Sequence, residues 1–404
     1  MKNKFLILFV LTVILASCDG YNPYPPIETI QSSAPEKTET TQPEVQPSTS
    51  EQADIVSSEE IPQVSAEDTV QLAWFYKPPE DGTPLSVLAE NFDSFILTHY
   101  DEEERDELRK LGVSAPILEY LLFVQIQDPG SCNKEPYGNQ VAYKTGDFCT
   151  ITAEHPDWFL RDNNGDIIRN GKNVYMDPGN SGYREFWLER AKELQEEYHW
   201  DGIFIDNIEA SLNKFRRLEQ MPSKYPNDES FQKEIDTFLS YVAVQYFKPH
   251  NRPIYGNIVE YENEEIWLRY LPHLDGVMIE DFAVDYNEKY YSKADWERQI
   301  NMSIEAGAMG KALVLVSQGP ANNTDRARFS FVSYLLITNG LTSFRYTDSD
   351  YYEEVWLYEN YFRNLGNPTS ALYEWRGGWR RDFSNGYVFL EPSTHTSEIS
   401  ITEN

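Results

Sequence analysis

One short pattern occurs twice in this sequence and constrains the fold more than any other feature. Residues 200–207 read W-D-G-I-F-I-D-N, and residues 274–281 read L-D-G-V-M-I-E-D. In each copy an Asp-Gly turn precedes a short apolar run, and an acidic residue follows it. An apolar run without polar alternation predicts a strand buried on both faces, as in a parallel sheet. Asp206 and Glu280 would then lie at the carboxyl ends of strands, where α/β folds place their chemistry.

Six further β-type runs predict strands, and amphipathic helical stretches such as Tyr183–Tyr198 separate most of the runs. Eight β-then-α units predict an α/β fold, a (β/α)8 TIM barrel. A doubly wound open sheet is the alternative. No G-x-G-x-x-G follows the first strand, so the dinucleotide signature is missing and we expect no cofactor. The eight strand candidates are Gln71–Tyr76, Ser94–Thr98, Ala115–Tyr120, Gly202–Asp206, Pro253–Asn257, Gly276–Glu280, Ala312–Ser317 and Thr342–Tyr346.

Residues 1–17 predict a signal peptide. Lys2 and Lys4 form a basic region, and the apolar stretch 5–14 is too short to span a membrane. The stretch 15–18, Leu-Ala-Ser-Cys, resembles the site at which bacterial lipoproteins are cut before a cysteine that then carries lipid. We therefore expect Cys18 to be lipidated and to anchor the protein on the extracytoplasmic side of a membrane. A plain secretory peptide with an incidental cysteine is the alternative.

The composition beyond the leader divides the chain into three parts. Residues 18–70 are rich in Ser, Thr, Pro, Glu and Gln, which predicts a disordered tether behind the lipidated cysteine. Nearly all aromatic residues lie after it, so we expect the barrel domain at 71–365. Asn385-Gly386 between two β-type runs is a hairpin signal. Residues 366–404 are therefore expected to form a small C-terminal β appendage or to close the barrel.

Charge and residue usage exclude several classes of function. The formal net charge of −32 argues against binding nucleic acid or other polyanions. The chain has six histidines, and none forms an i, i+4 pair, which argues against a metal site and a metal-dependent deacetylase. Cys132 and Cys149 flank a loop rich in Gly, Asn and Pro. Outside the cytoplasm these two thiols are candidates for a disulfide.

The repeated acid indicates a two-carboxylate site of the kind that cleaves glycosidic bonds. Asp206 lies in the more polar run and is assigned as the nucleophile. Glu280 has the longer side chain and follows an apolar run, so we assign it as the general acid/base. Burial would raise the pKa of its carboxyl group. An error of one residue in the strand end would replace Glu280 by Asp281. Alternatively, one or both acids cap the helix that follows.

Residues at the other strand ends are candidates for binding an oligo- or polysaccharide. Trp74 and Tyr76 end the first strand, where an aromatic face could stack on a sugar ring. Glu119 ends the third strand and could orient a sugar hydroxyl or serve as the second acid. Residues at three further strand ends could each bind a sugar or tie down a loop, and they are Asn257, Gln318 and Arg345. Asn207 and Asp281 are the remaining candidates for binding the substrate.

Three segments carry a resemblance that spans roughly residues 71–393. Residues 201–207, 176–179 and 385–388 look like the hypothetical glycosyl-hydrolase-like TIM-barrel families of bacterial lipoproteins, and more distantly like the polygalactosaminidase and α-galactosidase clan. In that clan an Asp nucleophile ends strand four and maps onto Asp206. The acid/base ends strand six and maps onto Glu280 or Asp281, and since it is usually Asp, Glu280 departs from the pattern.

The resemblance implies a surface-tethered glycoside hydrolase. The carboxylate pair further predicts that this enzyme retains the anomeric configuration of its substrate. The alternative is a catalytically inactive carbohydrate-binding lipoprotein that keeps the barrel and its aromatic cleft. The distance between the two carboxyl groups discriminates between these hypotheses, because a binding protein has no need for two acids that face each other.

Overall fold

The structure is a computed structural model that describes residues 70–260, 263–285 and 289–402. The predicted leader, Cys18 and nearly all of the predicted tether lie outside these residues. Within the described ranges, no helix combines the length and the apolar character that crossing a membrane requires.

Strands and helices alternate along most of the described chain. The strands are β1 Ala73–Phe75, β2 Ser94–Leu97, β3 Ile117–Leu122, β4 Gln125–Gln127, β5 Arg169–Asn170, β6 Asn173–Tyr175, β7 Gly202–Glu209, β8 Ile254–Val259, β9 Gly276–Ile279, β10 Ala312–Gln318, β11 Thr342–Thr347, β12 Tyr373–Trp375, β13 Gly378–Phe383, β14 Gly386–Glu391 and β15 Thr396–Ile401. The helices are α1 Leu85–Asn91, α2 Glu102–Lys110, α3 Asp147–Glu154, α4 Ser181–Glu196, α5 Asn213–Arg217, α6 Asp228–Val242, α7 Glu264–Tyr270, α8 Lys293–Ala308 and α9 Thr324–Ile337.

Eight parallel strands form the barrel, in the order β1-β2-β3-β7-β8-β9-β10-β11. A parallel bridge between Leu72 and Phe344 joins the last strand to the beginning of the first, so the sheet is nearly closed. Each of the eight predicted strands is present, with ends that differ by a few residues. The prediction of a (β/α)8 barrel is confirmed.

The barrel strands are buried on both faces, which explains their continuous apolar runs. Side chains that alternate along the strands form two apolar layers. In β7, for example, Phe204 belongs to the inner layer, whereas Ile203 and Ile205 pack in the larger layer between barrel and helices. The inner layer consists of Ala73, Phe75, Ile96, Leu118, Phe204, Met278, Val314 and Val316.

A β-bulge interrupts β7 at its carboxyl end. Ile205 pairs with Gly256 of β8, but the next pairing joins Ile208 to Ile258, so β7 contains one extra residue. Asn207 occupies the extra position with a left-handed φ of 58°, a conformation that asparagine tolerates better than most residues. Because the alternation shifts by one after the bulge, Ile208 joins the outer layer and both Asp206 and Glu209 lie on the inner side.

Two smaller sheets accompany the barrel. The long connection between β3 and β7 contains an antiparallel sheet in the order β4-β6-β5, and a disulfide between Cys132 and Cys149 links its loop to α3. Strands β12 to β15 form a four-stranded antiparallel sheet at the carboxyl end. Arg381 of this sheet donates hydrogen bonds to Leu335 O and Thr338 O at the end of α9. The predicted C-terminal β appendage is therefore confirmed.

Candidate active site

Asp206 and Glu280 lie across the carboxyl end of the barrel and share one hydrogen-bond donor. Nδ2 of Asn257, in β8, donates to Oδ1 of Asp206 at 3.1 Å and to Oε2 of Glu280 at 3.0 Å. Because both oxygens bind the same nitrogen, they can be no more than about 6 Å apart. Asp206 belongs to β7, and Glu280 directly follows β9. The strand between them thus sets the separation of the two carboxyl groups.

Three tyrosines support this pair. The Tyr120 hydroxyl of β3 donates to Oδ2 of Asp206, and the Tyr352 hydroxyl donates to Oε1 of Glu280 at 3.1 Å. The ring of Tyr76 packs edge-on against both, with centroid distances of 5.3 Å to Tyr120 and 5.9 Å to Tyr352. Each carboxylate therefore receives a hydroxyl donor whose position is fixed by a shared aromatic neighbour.

Burial raises the pKa of Glu280 to about 7, and the negative charge of nearby Asp206 contributes to the shift. Hydrogen bonds from Tyr352 and Asn257 oppose it without cancelling it. Two carboxyl groups this close do not ionise independently, since the charge of one disfavours the charge of the other. Glu280 is therefore the group that holds a proton near neutral pH.

Several donors around Asp206 stabilise its charged form. Burial raises the pKa of this carboxyl above its ordinary value, and hydrogen bonds from Tyr120, from the Asn207 backbone and from Asn257 oppose the shift without cancelling it, as does the positive charge of Lys214. The Asn207 side chain also donates to Oδ2 of Asp206 at 3.0 Å. With these donors around it, Asp206 is the member of the pair that ionises first.

The structure brings several predicted residues to the carboxylate pair. Tyr76, Asn207 and Asn257 contact the pair or its tyrosine partners, as described above. Gln318 ends β10 on the same side as the inner-layer residues Val314 and Val316, and only 8% of its surface is exposed. These positions agree with the expectation that strand ends converge on one mouth.

The predicted sugar-stacking role of Trp74 is wrong. Its neighbours Ala73 and Phe75 face the barrel interior, so strand alternation directs Trp74 into the outer layer. Its ring is buried against Phe92, and the indole N–H donates to Lys77 O at 2.8 Å. A ring enclosed in this way has no free face for a sugar.

The predicted role of Glu119 is also wrong, for the same reason. Leu118 and Tyr120 point into the barrel, so Glu119 between them points outward. It is completely buried, and burial raises its pKa well above the ordinary value. The negative charge of Glu102 adds to this shift, and the positive charge of Arg105 opposes it. The carboxyl of Glu119 therefore cannot reach a ligand in the mouth.

Two other candidates anchor the chain around the site. Asp281 follows Glu280 in a left-handed conformation, with a φ of 63°, and its carbonyl accepts a hydrogen bond from Gln299 of α8 at 3.3 Å. The structure thus places Glu280, rather than Asp281, on the shared donor Asn257. Arg345 is buried, and its Nη2 donates to Tyr352 O. Of the two roles considered for Arg345, the structure shows the loop-tying one.

Sequence reasoning missed three residues of the site. Tyr120 lies inside a strand and could have been found by counting two residues on from an inward-facing neighbour. Tyr352 comes from the loop after β11, where no periodicity applies. Glu209 lies beyond the predicted end of its strand, and burial raises its pKa to about 7 while the charge of Lys214 opposes the shift. The bulge that turns Glu209 inward has no signal in the apolar run.

Comparison with known proteins adds the following findings. The model of hypothetical glycosyl hydrolase family 15 matches residues 109–387. The glycoside hydrolase domain of PelA from Pseudomonas aeruginosa is 14% identical, with a TM-score of 0.46, over 70% of this chain and 96% of that domain. A maltogenic alpha-amylase, AmyB from Thermotoga neapolitana, is 12% identical, with a TM-score of 0.48, over 80% of this chain and 86% of the amylase. No curated protein sequence matches significantly.

The family match covers more than half of the chain and agrees with the resemblance inferred from the sequence motifs. It also confirms the expected class of enzyme, a glycoside hydrolase. Most enzymes of this class use a pair of acids on either side of the bond that they cleave. The chain belongs to hypothetical glycosyl hydrolase family 15.

Proposed function

We propose that the protein is a retaining glycoside hydrolase in which Asp206 is the nucleophile and Glu280 the general acid/base. The observation that carries the proposal is the shared donor Asn257, which holds an oxygen of each carboxyl group within about 6 Å of the other. Retaining enzymes have their carboxyl groups roughly 5–5.5 Å apart, whereas inverting enzymes need roughly 6.5–9.5 Å to admit a water molecule. The geometry supports the retaining arrangement.

The two environments support the assignment of roles. Asp206 is surrounded by donors and is suited to attack the anomeric carbon as a carboxylate, forming a glycosyl-enzyme ester. Glu280, with its raised pKa, is suited to give its proton to the departing glycosidic oxygen. The Glu280 carboxylate then takes a proton from water, which attacks the same anomeric carbon and releases Asp206. Each proton that leaves Glu280 in the first step is recovered in the second.

We propose an oligo- or polysaccharide of neutral or cationic sugars as the substrate. The aromatic wall of Tyr76, Tyr120 and Tyr352 offers apolar surface beside the polar carboxylate pair, a combination that suits a pyranose ring. The net charge of −32 would repel a polyanionic chain.

The stereochemistry of the first product tests this function. Proton NMR during hydrolysis of an aryl glycoside should show the product anomer with the configuration of the substrate. A 2-fluoro glycoside should label Asp206, detectable as a mass increase on its peptide. An inverted product would contradict the proposed mechanism. Tight binding of a glycan with no turnover, across a broad panel of substrates, would favour the carbohydrate-binding alternative.

Tyr120→Phe is expected to lower kcat/KM roughly 10- to 100-fold, since hydrogen bonds to charged groups contribute about 1.5–3 kcal/mol. Loss of the hydroxyl also raises the pKa of Asp206, so the acid limb of the pH profile should move to higher pH. Tyr255→Phe is the matched control, because Tyr255 lies near the amino end of β8, away from the pair. An unchanged acid limb in Tyr120→Phe would rule out this role.

We propose that lipid on Cys18 tethers the enzyme to the extracytoplasmic side of a membrane. The leader pattern supports this, and so does the disulfide Cys132–Cys149, since such bonds persist mainly in oxidising compartments. Cys18→Ala is expected to abolish labelling by a radioactive fatty acid and to move the protein from the membrane to the soluble or unprocessed fraction. Unchanged labelling and fractionation would place the anchor elsewhere.

A further inference from the structure

Tyr137 is an aromatic residue that the fold holds in place without burying it. Its backbone N–H donates to Oε1 of Gln127 at 2.8 Å, and the Tyr100 hydroxyl donates to Pro136 O. The disulfide in the long connection between β3 and β7 closes the loop that contains this residue. The residue is nevertheless 61% exposed. Its side chain therefore contributes little to the core and is presented to solvent from a fixed backbone.

The backbone around Tyr137 crosses the carboxyl ends of two barrel strands. Gly138 O accepts a hydrogen bond from the N–H of His99, just beyond β2, at 3.0 Å. Asn139 O accepts one from the N–H of Leu122, at the end of β3, at 2.9 Å. The carboxyl ends of the barrel strands surround the mouth in which the carboxylate pair lies. Tyr137 therefore belongs to the rim of this mouth.

The side chain of Tyr137 lies near the tyrosines that support the carboxylate pair. Burial raises the pKa of Tyr76 above its ordinary value, and the charges of Asp206 and Tyr137 add to the shift. Because such an influence weakens with distance, the hydroxyls of Tyr76 and Tyr137 are near each other. Tyr137 thus continues the aromatic wall of Tyr76, Tyr120 and Tyr352 toward the solvent.

Tyr137 and Glu280 lie on opposite sides of the mouth. Glu280 directly follows β9, which is four strands away from β2 in the order of the eight-stranded barrel. The general acid must contact the glycosidic oxygen of the departing group, so the departing part of a substrate lies on the Glu280 side. The glycone, which is the part that stays on Asp206, then extends across the mouth toward Tyr137.

We propose that Tyr137 stacks on the second sugar unit of the glycone, next to the unit that Asp206 attacks, so that the enzyme favours bonds inside a chain over the terminal one. An aromatic ring offers an apolar face to the C–H groups of a pyranose. A ring on a fixed backbone also loses little conformational freedom on binding. A single exposed aromatic residue is common on protein surfaces, but this one is fixed beside the carboxylate pair. The inference rests on the proposed function.

Para-nitrophenyl glycosides with one or two sugar units test this subsite, with glucose, galactose and their N-acetylated amino sugars in both anomeric forms. The kcat/KM of the unmodified enzyme should be about tenfold higher for the disaccharide than for the monosaccharide. Tyr137→Ala is expected to remove this advantage, whereas Tyr137→Phe keeps the ring and should preserve it. Tyr373→Ala is the matched control, because this exposed tyrosine lies in β12 of the C-terminal sheet.

Cleavage without an advantage for the disaccharide would overturn the subsite alone, and so would an undiminished advantage in Tyr137→Ala. If none of the glycosides is cleaved, the proposed function fails and the subsite fails with it. Borohydride-reduced tetrasaccharides of the same sugars give a second measurement that needs no variant. The first product from the non-reducing end should contain at least two sugar units, and a monosaccharide as the main first product would overturn the proposal.

Discussion

Asp206→Asn is expected to lower kcat on the order of 10,000-fold while leaving the fold and glycan binding intact. The amide has the shape of the carboxylate and can still accept the hydrogen bond from Tyr120, but it cannot form an ester with the anomeric carbon. The measurement is kcat on an aryl glycoside together with glycan affinity by calorimetry. The glycan dissociation constant should stay within a few-fold of that of the unmodified enzyme.

Asp201→Asn is the matched control for this substitution. Asp201 precedes the same strand at its opposite end, where its carboxylate accepts hydrogen bonds from the Ile117 backbone and from Arg109. This variant is expected to lose stability through the weakened ion pair and to keep its kcat. Near-normal turnover by Asp206→Asn would contradict the assignment of the nucleophile and would favour the carbohydrate-binding hypothesis.

Glu280→Gln is expected to slow hydrolysis about 100- to 10,000-fold for glycosides with poor leaving groups. Activated aryl glycosides should be affected least in the first step, since their leaving groups need no proton. Glu280 must be protonated to act as the acid, and its pKa is raised to about 7, so kcat/KM of the unmodified enzyme should fall as the pH rises through that value. Glutamine does not titrate, and this alkaline limb should disappear.

Asp281→Asn decides between the two neighbouring acids. If Glu280 is the acid/base, Asp281→Asn keeps both the rate and the alkaline limb, because the shared donor Asn257 contacts Glu280. The opposite result, a lost limb in Asp281→Asn and a normal one in Glu280→Gln, would transfer the role to Asp281. Measuring both variants on the same pair of leaving groups separates loss of proton transfer from general damage to the site.

The barrel could be predicted because each of its strands is buried on both faces and therefore appears as an apolar run. The same property explains the errors at Trp74 and Glu119. When both faces of a strand are apolar, composition does not reveal which residues point into the barrel and which point to the helices. An acid directly after an apolar run can be assigned to the mouth of the barrel without knowing which face its neighbours take. This holds for Asp206 and Glu280, because both lie where their strands end at the mouth.

The remaining parts of the site depend on features that have no local signal. The bulge at Asn207 adds one residue to β7 and brings Glu209 to the inner side. The sequence around Asn207 does not indicate this bulge. Tyr352 contacts Glu280, which lies 72 positions earlier in the chain, from a loop that Arg345 holds through a hydrogen bond to Tyr352 O. Such positions depend on the assembled barrel, so they can be identified only in the three-dimensional structure.

Asn257 has a consequence for how charge moves during the proposed reaction. In the free enzyme the negative charge resides on Asp206, and once the glycosyl ester forms it resides on Glu280. The amide already donates one hydrogen to each side, at nearly equal distances. The charge can therefore pass from one acid to the other and back while this residue stays still, and the total charge of the mouth never changes. A donor that need not reorient between half-reactions adds no reorganisation energy to either barrier.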